Sequence, residues 1–571
     1  MSGFGVDDRR VIDIDVVSRA VIRHNPWWIY QRMVEEKFSE NPEGILRYLP
    51  SYGDRRSGFL VSVRRYLLEY YSSYDRSIGE LARTRWGLHR IWYPNLFYVL
   101  REDILKNISP LAILTLRGPR QVGKTTLVKL LIIELLSLRL LKYVEDVDLR
   151  TTHYRRIFYF PCDILMGERE ELLRVLMDFI DRASRISDKG PMMIFLDEVS
   201  SLREWQEVIK VLYDDGSLNN VILLATGSHS LDIKKSSEVL AGRRGNIEKA
   251  KLGSDSVLLP MKFIKYVKLL SEKFKKMIYN ERRKWFELDN RINILLNLTE
   301  GKIDVKLREF EYYLSDLRRL LDDYMVTGGI VRAVREYDEK QFISDVVYKD
   351  YADLVVKDAE SWRLNERNLR KTLYAILLTM GSPVSARTLA KKVGLTHQTI
   401  ENYLEYLEGS YAIFQLYRLD LNRKMSEYRK ARKIYFVDPF IMHALNAWVY
   451  GYSVAFDESV ENLRKYKPFI TECLVASHLA RLAFTALRSP MHLVENTVFY
   501  WRQDSGEVDF IFRLGKEYIP VEVGLSKKAS RTLLRLSRIL GKKGILTGYY
   551  DRIRVDERIV QVPIEILLLL A

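Results

Sequence analysis

Between residues 112 and 135 the chain runs from a short apolar stretch, Ala112 to Leu116, through Gly118-Pro119-Arg120-Gln121-Val122-Gly123-Lys124-Thr125 into a segment with Leu127, Leu130, Leu131 and Leu135 at helical spacing. A buried strand, a glycine-bounded loop and a helix in that order form the G-x-x-x-x-G-K-[ST] arrangement. The glycines let the backbone curl until consecutive N–H groups point at one anion, and the helix opening at Lys124 adds its positive dipole end. The spacing therefore predicts a phosphate cradle from Gly118 through Thr126, with Lys124 reaching the β and γ oxygens and Thr125 ligating a magnesium ion. The expected ligands are ATP and Mg2+. A chance match or a structural glycine turn does not require a strand, a loop and a helix in sequence.

The next elements fit that expectation. Between 112 and 260, short β-rich apolar runs (Ala112 to Leu116, Ile157 to Pro161, Met192 to Leu196, Val221 to Thr226, Val257 to Leu259) alternate with helical patterns, which is the rhythm of a parallel α/β sheet. Met192-Met-Ile-Phe-Leu-Asp197-Glu198 is an apolar strand ending in two carboxylates, placed by that topology at the carboxyl edge of the sheet. Asp197 is the expected partner of magnesium, and Glu198 the group that polarises the attacking water. A helix N-cap would account for one acid there, not for the pair. The following strand ends in Thr226-Gly227-Ser228, whose hydroxyls at Thr226 and Ser228 are candidates to sense the γ-phosphate. Arg243 and Arg244, flanked by Gly242 and Gly245, suit an arginine finger offered to a neighbouring copy of the chain, which makes a homo-oligomer the associated expectation; surface ion pairing is the alternative.

At 571 residues the chain is expected to divide into about three or four domains of ~150 residues. No run approaches the ~18 to 20 apolar residues of a membrane span, and Met1 to Arg10 are polar and charged, so the reading is cytoplasmic with no membrane partner. Cys162 and Cys473 have no metal-ligand spacing and are expected as buried thiols. A net charge of +16 and a pI near 9.4 favour a polyanionic partner, nucleic acid and most simply DNA; an ion-paired thermophilic surface explains many of the charges but not the positive surplus.

Two later segments carry candidate contacts for such a partner. Ala386 to Val393, then Gly394-Leu395-Thr396, then His397 to Glu408 read as helix, turn, helix, with Thr396 capping the second helix. His397, Gln398, Thr399 and Asn402 are its exposed candidates for base edges. Ala412 to Leu419 and Lys433 to Val437 are expected to pair as a hairpin, joined by a basic arm with Arg423, Lys424, Arg429, Lys430 and Arg432. Further on, Arg531, Arg535, Arg538 and Lys542 are spaced to line one face of a helix as a phosphate track.

Near the C-terminus, Val498 to Arg502, Glu507 to Arg513 and Tyr518 to Val523 alternate as strands. With Gly515-Lys516 as a two-residue loop, Leu514 faces Glu517 and Asp509 faces Glu522, so two carboxylates share a face; Glu472 on the preceding helix is a possible third acid for a metal ion.

Arg117-Gly-Pro-Arg-Gln-Val-Gly-Lys-Thr, Phe195-Leu-Asp-Glu-Val, Ala225-Thr-Gly-Ser, Leu240-Ala-Gly-Arg-Arg-Gly, Gly328-Gly329, Lys433-Ile-Tyr-Phe-Val-Asp438 and Gly506-Glu-Val-Asp-Phe occur in that order. In these residues the chain resembles archaeal and bacterial AAA+-type P-loop ATPases with a winged helix and a C-terminal domain similar to PD-(D/E)xK nucleases. The resemblance implies an α/β fold class and this division: 1–95 a helical N-terminal extension, 96–262 the P-loop ATPase core, 263–360 a helical lid or insertion, 361–450 a winged helix-turn-helix, and 451–571 a nuclease-like domain. The nuclease pattern wants a lysine two residues after the second acid, where this chain has Gly524; Lys527 or Lys528 is a substitute, and a degenerate fold kept for binding is the favoured expectation. Two functions follow. One is a magnesium-dependent ATPase that acts on or binds nucleic acid; the alternative is a nucleotide-dependent protein switch whose C-terminal domains bind protein partners.

Overall fold

The computed structural model describes residues 14–40, 55–75, 78–79, 111–141, 152–187, 190–228, 255–281, 285–451, 453–487, 497–503, 506–524 and 530–571. It divides into two compact units, Met1–Gly118 with Gly123–Leu258, and Pro119–Val122 with Leu259–Ala571. Among the described residues no helix is long and apolar enough to cross a membrane. Both cysteines are buried free thiols.

The first unit is built on five parallel strands, β1 (Ala112–Arg117), β2 (Ile157–Pro161), β3 (Met192–Asp197), β4 (Val221–Gly227) and β5 (Asp255–Val257), in the order β2-β3-β4-β1-β5. All five expected strands are present, the last of them two residues earlier than its hydrophobic pattern suggested. β1, β3 and β4 are buried along their whole length, as parallel strands covered on both faces are. Helix Lys124–Leu141 follows β1 directly and is apolar on nearly all sides, because a second layer of helix covers it.

That second layer is the N-terminal segment. Trp27, Val34 and Phe38 of helix Trp27–Glu40 and Val63, Leu67, Leu68 and Tyr71 of helix Arg55–Tyr71 share one core with Leu127, Val128, Leu131 and Leu135. Three ion pairs are buried within it: Arg64 with Glu134, Lys129 with Asp75 at 2.7 Å, and Arg139 with Glu35 at 3.0 Å. The same segment closes the open edge of the sheet. Asn25 donates to Tyr159 O (2.8 Å) and accepts from Tyr159 N–H (2.7 Å), while the indoles of Trp27 and Trp28 both donate to Ile157 O. Side chains thus occupy the β2 backbone groups that an edge strand leaves unpaired.

The second unit combines helices from Phe263–Leu270 onward with an eight-stranded sheet and a two-stranded one. Its lesser sheet pairs β6 (Ile413–Leu416) with β9 (Lys433–Phe436), the expected hairpin. The arm between them departs from expectation. It folds into a second hairpin, β7 (Arg418–Asp420) and β8 (Met425–Glu427), which joins the C-terminal strands β10 (Val498–Gln503), β11 (Gly506–Leu514), β12 (Glu517–Val523), β13 (Gly544–Gly548), β14 (Arg554–Val555) and β15 (Ile559–Pro563) in the order β14-β15-β13-β12-β11-β10-β7-β8. Polar residues along the arm hid this pairing, since only Leu419 and Ser426 are buried in it. The long helix Ala455–Leu487 bends at Tyr466, two residues before Pro468, whose ring and missing N–H break the regular helix.

Gly328 and Gly329 lie against Asp438, which accepts from Gly329 N–H at 2.7 Å. A Cβ on Gly328 would sit 1.9 Å from Asp438 Oδ1, and its φ of +55° also favours glycine. Gly328→Ala is therefore expected to destabilise the second unit by about 3 kcal/mol, combining overpacking with backbone strain. Urea unfolding of the full chain checks this, and a loss below about 1 kcal/mol would contradict the close approach.

Candidate functional site

The carboxyl ends of β1, β3 and β4 lie side by side, with Leu116 beside Thr226 and Leu196 beside Ala225. Polar side chains from β2, β4 and the helix after β1 converge on one carboxylate of β3. Thr125 Oγ1 donates to Asp197 Oδ2 at 2.6 Å, Tyr159 OH donates to the same oxygen at 2.8 Å, and Thr226 Oγ1 donates to Asp197 Oδ1. Asp197, Thr226, Tyr159 and Lys124 are all buried. Burial, and then the Asp197 charge, hold the Tyr159 hydroxyl well above the usual phenol range, so it stays a donor.

Lys124 Nζ donates to Gly118 O at 2.9 Å. Gly118 (φ +151°) and Gly123 (φ +97°) bracket a turn in which Gln121 also has positive φ. A Cβ on Gly118 would meet Leu258 O at 2.0 Å, because Leu258 N–H is bonded to Arg117 O as the chain leaves β5. Thr126 follows on the first turn of the helix. Pro119 to Val122 are counted in the second unit, where Arg120 makes a two-point ion pair with Asp358 (2.9 and 2.7 Å).

Glu198 holds a left-handed backbone conformation, φ 54° and ψ 44°, and its N–H donates to Thr226 Oγ1 at 3.1 Å. Non-glycine residues in this region are uncommon and tend to occur where a side chain must be aimed. Thr226, expected to face a γ-phosphate, instead commits its hydroxyl to Asp197 and to Glu198 N–H. Ser228 pairs with Ser200 across 3.4 Å rather than with the carboxylates. Arg243 and Arg244 lie outside the described residues. Tyr159 was missed: a single phenol within Ile157-Phe-Tyr-Phe-Pro looks like core, and the one sequence signal was a hydroxyl inside an otherwise apolar strand.

A hydroxyl and a carboxylate 2.6 Å apart form a hard-oxygen donor set that fits magnesium with a nucleotide phosphate. Thr125 and Asp197 would hold the ion, whose chemistry is to bridge and neutralise phosphate oxygens. Lys124 would place an ammonium on the same phosphates.

The C-terminal acids are arranged differently. β11 and β12 pair in the expected register, Leu514 with Glu517 through Phe510 with Val521, which when extended one step sets Asp509 opposite Glu522. Yet Glu522 accepts from Ser530 N–H and Oγ, while Glu472 and Asp509 turn to a lysine. Lys433 Nζ lies 2.6 Å from Glu507, 3.1 Å from Glu472 and 3.6 Å from Asp509. Among the described residues no group of three or more His, Cys, Asp or Glu is placed to hold a metal ion. With an ammonium already among the acids, these residues do not fit a resident divalent cation. Gly524 takes part in backbone bonding to Thr547, and Lys527 and Lys528 lie outside the described residues. The lysine reaching the acids comes from β9, a strand read from sequence as part of the hairpin; its one signal was a charged residue heading Lys433-Ile-Tyr-Phe-Val.

Of the basic candidates, Arg531, Arg535 and Arg538 are exposed along helix Arg531–Leu540, with Leu533 and Leu536 buried beneath. Lys542 does not extend the row: the helix ends before Gly541, and Lys542 pairs with Glu517 (3.5 Å) and Glu300 (3.8 Å). Thr396 caps helix His397–Gly409 by accepting from Thr399 N–H, as expected. His397, Gln398 and Asn402 are exposed; Thr399 is half-buried and its hydroxyl is shared with Thr396.

Residues 111–266 match a family described as AAA domain, and residues 318–449 and 468–567 match two domains of unknown function, DUF8612 and DUF4143. Two Methanocaldococcus jannaschii proteins are similar: uncharacterized protein MJ1637, 24% identical over 89% of this chain and 94% of its own length, and uncharacterized protein MJ1544, 24% identical over 74% and 77%. Among solved structures, a Walker-type ATPase of Pyrococcus abyssi, PABY2304, is 15% identical with a TM-score of 0.34, covering 62% of this chain and 95% of that one. The Aeropyrum pernix Orc1 protein in complex with DNA is 15% identical with a TM-score of 0.28, covering 68% and 97%.

Proposed function

We propose, starting from a chain whose first unit carries the P-loop ATPase fold of an AAA-like domain, that it is a magnesium-dependent ATPase that binds nucleic acid. The observation that carries the ATPase reading is the Thr125–Asp197 hydrogen bond, which puts a magnesium ligand of the phosphate loop against the acid that ends β3. Lys124 and the loop N–H groups hold the phosphates, Thr125 and Asp197 hold the ion, and Glu198 orients water. If Arg243 or Arg244 serves as a finger, it does so for a neighbouring copy.

Nucleic acid, most simply DNA, is assigned to the second unit on charge. Arg531, Arg535 and Arg538 are three exposed guanidiniums on one helix with no ion pair among the described residues, on a chain of net charge +16. His397, Gln398 and Asn402 supply a second candidate surface. The acid cluster around Lys433 is a degenerate remnant in this reading and does not cut.

ATP turnover with and without duplex, single-stranded and branched DNA tests both halves. Stimulation by DNA is expected; turnover indifferent to every nucleic acid would favour a nucleotide-dependent protein switch. Reversing Arg531, Arg535 and Arg538 to Glu should weaken DNA binding at least tenfold across unrelated sequences, and the affinity of the parent chain should fall steeply between ~50 and 200 mM salt. An unchanged dissociation constant would move the contact to another surface, such as the Arg423 to Lys430 arm.

A further inference from the structure

Three carboxylates gathered on one sheet face normally demand a cation, because each repels the others in a setting that excludes water. In the C-terminal sheet that cation is covalently part of the chain. Lys433 leaves β9 and places its Nζ among Glu507, Glu472 and Asp509, and the whole side chain is 1% exposed. Burial alone would depress its ammonium, but the Glu472, Asp509 and Glu507 carboxylates outweigh it and hold the pKa above the ordinary lysine range. The surrounding bonds look built for this occupant. Tyr435 OH donates to Glu472, two residues along the same strand from Lys433, and Val523 N–H fixes Asp509 Oδ2 at 2.9 Å. Burial, and then the Glu472 charge, push the Asp509 carboxyl up to about 7.

We infer that the acid cluster of the C-terminal sheet is a cation site whose resident is the Lys433 ammonium, and that it accepts a divalent metal only when that side chain is removed. A small divalent ion needs carboxylate oxygens at about 2.0 to 2.2 Å, and an ammonium in hydrogen-bond contact with those oxygens occupies the same volume and repels it. Because Lys433 belongs to β9 and its acid partners to helix Ala455–Leu487 and β11, the ion pair also fastens the β6–β9 hairpin to the larger sheet. The inference rests on the degenerate reading of this domain, not on ATP hydrolysis.

The test is Mn2+ binding by electron paramagnetic resonance on the full chain without nucleotide, in an Asp197→Ala background that silences the first unit's site. The parent is expected to hold no Mn2+ at this cluster. Lys433→Ala should gain about one Mn2+ per chain, at least tenfold tighter than any binding by the parent, and Asp509→Asn should remove it. Mn2+ should also raise the melting temperature of Lys433→Ala and leave the parent unchanged, by mass action on the folded state. Mn2+ bound by the parent and lost with Asp509→Asn would overturn the inference, as would folded Lys433→Ala that binds none. Should the alanine variant fail to fold, Lys433→Met keeps the aliphatic packing and is read the same way, while the parent measurement stands by itself.

Discussion

Lys124→Ala is expected to abolish ATP binding, whereas Glu198→Gln should bind ATP with near-parental affinity and hydrolyse it roughly 100- to 1,000-fold more slowly. The difference follows from position. Lys124 springs from the phosphate loop itself, and its Nζ, which bonds Gly118 O, gains more from charged phosphate oxygens than from that neutral carbonyl. Glu198 bonds to Thr226 through its backbone N–H, which an exchange of carboxylate for amide keeps, and the Thr125–Asp197 hydrogen bond involves neither group. Binding of a fluorescent ATP analogue together with single-turnover hydrolysis separates the outcomes. Equal loss of binding in both variants would remove Glu198 from the role of water-orienting group.

The second large effect concerns stability of the first unit. Glu134 sits in the middle of helix Lys124–Leu141 and is fully buried against Arg64 of the N-terminal helix Arg55–Tyr71, itself 2% exposed. Glu134→Ala would strand a guanidinium in the Leu131, Leu135 and Leu67 core, and breaking a buried pair from one side is destabilising by about 3 to 5 kcal/mol. Denaturant unfolding should show it as a lower midpoint with an unchanged slope. The double variant Arg64→Met with Glu134→Leu should recover most of the loss, because it removes both charges of the pair together and fills their volume with apolar groups. A single Glu134→Ala variant as stable as the parent would mean that the pair carries no weight in holding the N-terminal segment to the ATPase core.

Sequence made the sheet of the first unit legible because each parallel strand declares itself as a local apolar run, and the phosphate loop because its glycines and Lys124-Thr125 are contiguous. The same locality limits what can be read. Tyr159, Asn25 and Lys433 act on partners far away in the chain, and a lone hydroxyl or charge among apolar neighbours is too weak a local signal to reveal those partners. Asn25, Trp27 and Trp28 of the N-terminal extension were hidden for this reason: their work is done against the backbone of β2. The register of β11 and β12 was readable from a two-residue loop, yet the fate of the acids it paired depended on a lysine from β9. Lys542 was misplaced by carrying the helical spacing from Arg538 across the Gly541 cap.

The pairing of β7 with β10 sets a limit on how this protein can be cut. An excised segment 468–567, the extent of the DUF4143 match, would leave β10 as a bare edge and would present its acids without Lys433. Such a fragment would offer unpaired backbone groups to a second copy of itself, which is the usual route to strand-mediated aggregation. Its metal affinity would then report an artefact of the cut, and a fragment meant to stand for the C-terminal domain has to begin before β6.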